Sequence, residues 1–123
     1  MFAPPAFYCG VDFSDNAISQ ATAKYNHNTS FKFVAADIDV FSDNRKYNAI
    51  VFNESLYYLP RPLATLERYE GLLTQNGVFV ISIHAIPDHD RLWDAVHRQC
   101  RCIDYTVITI KSGTSWRCGV FVP

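Results

Sequence analysis

Two aspartates each follow an apolar run in a position where a carboxylate could bind a ligand. Asp12 ends the first run and Asp37 ends the second. In an α/β protein, an acid at the carboxyl end of a parallel strand can accept hydrogen bonds from a ribose, and Asp12 stands in such a position. The simpler alternatives are a helix-leading acid for Asp12 and a polar loop, shared with Asp39 and Asp43, for Asp37.

A second set of polar side chains follows the next two apolar runs. Asn53 ends the third run, Glu54 and Tyr57 come directly after it, and His84 follows the fourth. A glutamate so placed could act as a base toward an amine or a hydroxyl. The alternatives are a capping or solvent-facing role for Glu54 and a place in the core for Tyr57 and Tyr58.

Metal binding and thiol chemistry fit the sequence poorly. His97, Cys100 and Cys102, with two histidines upstream, are ligand types that zinc accepts. However, Cys100 lies on the predicted apolar stripe of a helix, and one residue between two cysteines is less than zinc fingers leave. Cys9 and Cys118 lie in predicted strands, where a thiol acts as a small apolar group.

The composition indicates a small globular protein. The hydrophobic fraction of 49% supports a core, and the net charge of −1 gives no reason to expect nucleic acid or an anionic membrane as partner. No apolar run reaches the roughly 18 residues of a membrane span, and no basic segment precedes an apolar one at the start. Four scattered cysteines suit reduced thiols, so we expect a cytoplasmic protein.

The apolar pattern predicts strands alternating with helices, which favours a parallel sheet covered by helices. The predicted strands in the first two thirds are 7–12, 31–36, 48–53 and 78–83. The first helix begins at the N-cap Ser14, and the second begins at Pro60-Arg61-Pro62 and ends at Asn76-Gly77. Residues 49–52 are apolar throughout, as in a strand buried on both faces.

The remainder of the chain has a different character. A helix opening at Asp88 or Asp90 carries an apolar stripe of Leu92, Trp93, Val96 and Cys100. Two β-rich runs, 103–110 and 116–122, flank a short connection containing Gly113, which predicts an antiparallel hairpin. With no repeat and no linker, the sequence predicts a single domain over residues 1–123.

Four segments, in this order and spacing, resemble the class I S-adenosylmethionine-dependent methyltransferases of the small-molecule branch. They are Gly10-Val11-Asp12-Phe13-Ser14, Ala35-Ala36-Asp37-Ile38, residues 47–59 with Ser55-Leu56-Tyr57-Tyr58-Leu59, and residues 72–82. The resemblance implies a Rossmann-like α/β three-layer sandwich, matched from its second strand onward. Its sheet is mostly parallel and closes with an antiparallel hairpin.

The resemblance also implies S-adenosylmethionine as the cofactor and a small molecule as the methyl acceptor. In that family the acid ending the second strand bonds the cofactor ribose, and the acid ending the third bonds the adenine amino group. The cofactor-binding positions carried over are Asp12, Phe13, Asp37, Ile38 and Asn53. The candidate catalytic residues, matched by their place near the sulfonium and the acceptor, are Glu54, Tyr57 and His84.

One part of the family pattern has no counterpart in the sequence. The family's first strand, its glycine-rich loop and the helix behind it are absent, because no glycine stands in a G-x-G spacing and Pro4-Pro5 cannot form a central strand. Micromolar affinity requires about −8 kcal/mol, whereas charge-assisted hydrogen bonds contribute roughly 1.5–3 kcal/mol each. We therefore expect a truncated protein with weak or no cofactor binding and feeble or no activity alone.

The absent strand would leave two sheet edges unpaired, beside Val11 and beside Asn53. The flanking strands could pair directly, a second copy could cover the gap, or a separate N-terminal segment could complete the sheet. We favour a homodimer among these. The competing functional hypothesis is a non-catalytic oligomerisation or interaction module derived from a methyltransferase fold.

Overall fold

A computed structural model describes residues 6–123. These residues form two compact units, of which the first ends at Ser42 and the second is Asp43–Pro123. The expectation that one domain covers the whole chain stays a prediction. Pro4 and Pro5, which the sequence predicts not to form a central strand, lie outside the described residues.

The first unit is a strand–helix–strand motif. Strands β1 (Tyr8–Asp12) and β2 (Phe31–Ala35) are parallel neighbours joined by helix α1 (Asp15–Tyr25). The predicted N-cap is confirmed, because the Ser14 hydroxyl accepts the Ala17 N–H at 3.1 Å. This cap starts the helix directly after the strand and so places Asp12 at the rim of the sheet.

No residue between 6 and 42 is buried. Helix α1 has no buried side chain, although its Tyr25 packs against Phe31 with ring centroids 5.4 Å apart. Two strands and one helix cannot enclose a core by themselves. Within the described residues, the first unit therefore buries no core of its own.

The second unit contains a four-stranded mixed sheet and two helices. Its elements are β3 (Tyr47–Asn53), α2 (Pro62–Glu70), β4 (Leu73–His84), α3 (Asp90–Gln99), β5 (Arg101–Thr109) and β6 (Ser115–Val122). The strand order is β3-β4-β6-β5, with β3 parallel to β4 and β6 antiparallel to both of its neighbours. The C-terminal hairpin predicted from the sequence is therefore confirmed.

The core of the second unit lies on one face of this sheet. Phe79, Ile81 and Ile83 alternate along β4 and are fully buried, as is Phe121 of β6. Leu66 of α2 and Val96 of α3 are fully buried as well. The helices thus cover one face, and the side chains that alternate with the core residues along β4 are the ones available for a site.

The predicted end of the second helix is wrong. Helix α2 ends at Glu70, where Gly71 caps it, and β4 already begins at Leu73. Asn76-Gly77 lies in an irregular part of β4, where the register with β3 shifts between Tyr47 and Ala49. Glycine suits this bulge because a Cβ at Gly77 would lie 3.0 Å from the Leu73 side chain.

The prediction that β3 is buried on both faces is also wrong. Phe52 is buried and packs on Phe79, but Val51 is 62% exposed. Among the described residues, β3 pairs only with β4, and β1 pairs only with β2, so each strand has one unpaired edge. A continuous apolar run indicates burial on both faces only where both are covered, and within residues 6–123 the Val51 face of β3 stays exposed.

Candidate functional site

The acids predicted to bind a nucleoside lie at the same end of the first unit. Asp12 ends β1 and Asp37 follows β2 by two residues, and the Ala36 N–H donates to the Asp12 carbonyl at 2.9 Å. Each carboxylate accepts a local N–H through Oδ1, from Ser14 at 2.8 Å and from Asp39 at 2.9 Å. These bonds orient both side chains and leave each Oδ2 available to a ligand.

The side chain beside Asp12 is unusually exposed for its type. Phe13 is 83% exposed, whereas Ile38 after Asp37 is half-buried. An exposed phenyl ring beside a carboxylate provides an apolar surface for a planar or sugar ligand. The first unit therefore brings together four of the five predicted cofactor-binding residues.

The fifth residue, Asn53, lies at the carboxyl end of β3 in the second unit. Its Oδ1 accepts the hydroxyl of Ser82 at 2.9 Å. The same Ser82 receives the Glu54 N–H through its hydroxyl at 3.1 Å and its carbonyl at 3.2 Å. Ser82 thus holds the end of β3 to β4 and determines where the Glu54 backbone lies.

Two of the three candidate catalytic residues are in direct contact. The Tyr57 hydroxyl donates to Glu54 Oε1 at 3.0 Å, while Glu54 Oε2 is buried without a hydrogen-bond partner among the described residues. Burial, followed by the hydrogen bond and the charge of Glu54, raises the pKa of Tyr57. Tyr57 is therefore a neutral donor that orients the carboxylate.

The third candidate, His84, belongs to a row of rings near this pair, which we call the aromatic row. Its members, in spatial order, are Tyr58, Tyr57, His89, His84 and Trp116. The closest stack is Tyr57 on His89, with centroids 4.1 Å apart. The His84 carbonyl lies 2.9 Å from His89 Nδ1 and, being an acceptor only, makes that nitrogen the donor.

The charge of Glu54 should be detectable at a neighbouring thiol. Burial, and secondarily the charge of Glu54, raises the pKa of Cys118, which pairs with Ser82 across the β4–β6 ladder. We expect Glu54→Gln to speed alkylation of Cys118 about twofold at mildly alkaline pH, because more thiolate forms when the charge is removed. Peptide mass spectrometry after iodoacetamide treatment measures this rate.

Cys100 is the internal control for that measurement. Its pKa is raised by burial and then by Glu70, so Glu54→Gln should leave its alkylation unchanged. Equal acceleration of both thiols would indicate general loosening of the fold and would contradict the electrostatic explanation.

The residues weighed for zinc have other surroundings in the structure. His97 packs edge-on against Trp93 and Phe121, with centroids 4.9 and 5.1 Å away. Cys102 Sγ donates to the Asp104 carbonyl at 3.2 Å. In the part of the chain that the structure describes, no group of three His, Cys, Asp or Glu side chains could hold a metal ion.

The fold agrees with that of a known family. The model of a methyltransferase domain family matches residues 1–117, so the chain belongs to that family. It is a class I S-adenosylmethionine-dependent methyltransferase fold, as the sequence predicted. No curated protein matches the chain significantly in sequence.

Three solved structures illustrate the likeness of fold. The N-methyltransferase NodS of Bradyrhizobium japonicum, in complex with S-adenosylhomocysteine, superimposes with a TM-score of 0.78 at 20% identity, over 92% of this chain and 64% of that one. A 1,6-didemethyltoxoflavin-N1-methyltransferase of Burkholderia thailandensis superimposes with a TM-score of 0.75 at 15% identity, over 92% of this chain and 59% of that one. The magnesium protoporphyrin IX methyltransferase of Synechocystis, with bound S-adenosylmethionine, superimposes with a TM-score of 0.71 at 12% identity, over 95% of this chain and 60% of that one.

The chain therefore spans about two thirds or less of the length of these three neighbours. The cofactor implied by the resemblance is the one bound, as itself or as its demethylated product, in all three of these structures. In the described residues, no helix is long and apolar enough to cross a membrane.

Sequence reasoning missed three residues of the second site. Ser82 connects Asn53 to Glu54, and His89 and Trp116 extend the aromatic row. The alternation of Ser82 with buried Ile81 and Ile83 was the one available signal, since it places the hydroxyl on the face opposite the core. His89 and Trp116 come from a short helical turn and from β6, and sequence order alone does not bring them to β3.

Proposed function

We propose that this chain is the larger part of a small-molecule methyltransferase that needs a further strand, loop and helix for full cofactor binding. The observation that carries the proposal is the position of Asp12 and Asp37 at the carboxyl ends of adjacent parallel strands in a member of this family. S-adenosylmethionine, when bound, supplies a methyl group activated by its sulfonium.

In this proposal, residues of the first unit bind the cofactor's nucleoside, and residues of the second unit accept the proton of the methyl acceptor. In the first unit, Asp12 accepts the ribose hydroxyls, Asp37 bonds the adenine amino group, and Phe13 and Ile38 provide apolar contact. The free Oδ2 atoms and the exposed Phe13 ring support this fit. In the second unit, Glu54 takes the proton that the acceptor's nitrogen or oxygen gives up, while Tyr57 holds the carboxylate in place.

Completion by a further segment is supported by the unpaired backbone. Among residues 6–123, β1 and β3 each have one edge with no hydrogen-bonded neighbour, whose donors and acceptors a further strand would satisfy, and residues 6–42 enclose no core. A strand followed by a glycine-rich loop and a helix would supply both the missing pairing and the backbone N–H groups that face the cofactor's methionine half.

The test is a calorimetric titration of the chain with S-adenosylhomocysteine, alone and with a polypeptide carrying a strand–G-x-G-x-G loop–helix. We expect millimolar binding alone and at least about tenfold tighter binding with the polypeptide. A scrambled-loop polypeptide is the matched control and should leave the affinity unchanged. Absence of any binding in all three titrations would contradict the proposal.

The second candidate function is a homodimeric, non-catalytic interaction module. Exposed apolar side chains favour it: Val51 is 62% exposed, and Ile103, Val107 and Ile108 of β5 are each about half exposed. Light scattering at micromolar concentration, combined with the titration with S-adenosylhomocysteine, distinguishes the interaction module from the enzyme. A dimer with no response to S-adenosylhomocysteine supports the module, whereas a monomer that binds the nucleoside supports the enzyme.

A further inference from the structure

One carboxylate oxygen of Glu54 is in an energetically unfavourable environment. Glu54 Oε2 is buried and has no hydrogen-bond partner in the described part of the chain, although Oε1 accepts the Tyr57 hydroxyl. Among the described residues, no ion pair joins Glu54 to a cationic side chain, and Arg117 of the same unit is paired with Asp90. A buried carboxylate oxygen that lacks a partner costs free energy, and a donor with positive charge would recover most of it.

The backbone of Glu54 is also held in an unfavourable conformation. Its φ is 51°, in the left-handed region, and it is the one described non-glycine residue with positive φ. Such a conformation is uncommon outside Gly, Asn and Asp, and outliers of this kind cluster at ligand sites. A glycine here would remove the strain, so the carboxylate is present at a conformational cost.

One aromatic ring contacts the carboxylate directly, and four further rings continue from it. Tyr57 is bonded to Oε1, and the rest of the aromatic row continues from it through His89 to Trp116. Aromatic faces attract organic cations through their quadrupole, and Tyr and Trp do so best. A carboxylate beside such rings is the combination that recognises an organic ammonium group, since it supplies both countercharge and apolar contact.

We propose that Glu54 and the aromatic row bind the ammonium group of an organic amine. This inference rests on the proposed function in one respect, that the amine bound here is the methyl acceptor. A neutral alcohol could donate one hydrogen bond to Oε2 but would not offset the charge, so the site discriminates amines from alcohols.

The test is an NMR titration of the full chain with benzylammonium and with benzyl alcohol, without any cofactor. The reporters are the Trp116 indole N–H and the Ser82 amide. We expect benzylammonium to bind at least about tenfold more tightly than benzyl alcohol, and Glu54→Gln to remove that preference. Glu67→Gln, an exposed glutamate on α2, is the matched control and should retain it.

The outcomes separate this inference from the proposed function. Equal binding of the two probes by the unchanged chain would overturn the inference, and this comparison does not depend on the folding of any variant. If Glu54→Gln kept the same preference for benzylammonium over benzyl alcohol as the unchanged chain, the inference would be overturned as well. Amine binding that depends on Glu54, in a chain that binds no S-adenosylhomocysteine either alone or with the strand–loop–helix polypeptide, would support the amine site and contradict the proposed enzyme.

Discussion

Replacing Asp12 by asparagine is expected to weaken adenosine binding by the chain about tenfold, because a charge-assisted hydrogen bond contributes roughly 1.5–3 kcal/mol. Asparagine keeps one oxygen, which can still accept the Ser14 N–H that starts α1. It loses the second oxygen and the charge with which, in the proposed function, Asp12 accepts the ribose hydroxyls. The shifts of the Phe13 and Ala36 amides in an NMR titration measure the affinity.

Adenosine is the proper probe because Asp12, Asp37 and Ile38 are all assigned to the nucleoside half of the cofactor. Asp15→Asn is the matched control, since Asp15 is an exposed acid in the first turn of α1 and should not affect binding. The 2′,3′-dideoxy analogue of adenosine, which lacks the 2′- and 3′-hydroxyls, should bind Asp12→Asn and the unchanged chain equally. An Asp12→Asn variant that binds adenosine at full affinity would show that this acid serves only the helix.

Replacing Phe79 by alanine should lower the free energy of unfolding of the second unit by about 3–5 kcal/mol, the usual cost of removing a buried phenyl ring. Phe79 is fully buried in the middle of β4 and packs on Phe52, with centroids 5.8 Å apart. Urea denaturation followed by tryptophan fluorescence measures the loss. Both tryptophans, Trp93 and Trp116, lie in the second unit and report on it.

Two further variants keep this prediction testable if the alanine variant fails to fold. Phe79→Leu preserves most of the volume and should cost about 1 kcal/mol. Tyr58→Ala removes a ring that is 78% exposed and should cost about 0.5 kcal/mol or less. Equal losses for Phe79→Leu and Tyr58→Ala would contradict the assignment of the core to this face of β4.

The sequence determined the local elements well. An acid after an apolar run, with Ser14 behind it, identified the junction of β1 and α1, because a hydroxyl cap and helical spacing are local signals. The order of strands and helices and the closing hairpin sufficed to identify the family. The position of Asp12 and Asp37 followed from parallel pairing, since the carboxyl ends of neighbouring parallel strands share one rim.

Burial and side-chain partnership were decided by the tertiary structure alone. The run 49–52 is apolar, yet Val51 is exposed, because what covers a sheet face comes from other parts of a structure. Similarly, Asn76-Gly77 has the composition of a helix end and forms a bulge in β4, since pairing with β3 outweighs local propensity. The bond between Glu54 and Tyr57 is local, since it joins residues three apart. In contrast, the bond from the Glu54 N–H to Ser82 and the stacking of the aromatic row beyond Tyr57 bring together β4, β6 and a helical turn. No spacing within one segment encodes such contacts, because they form only when distant segments pack together.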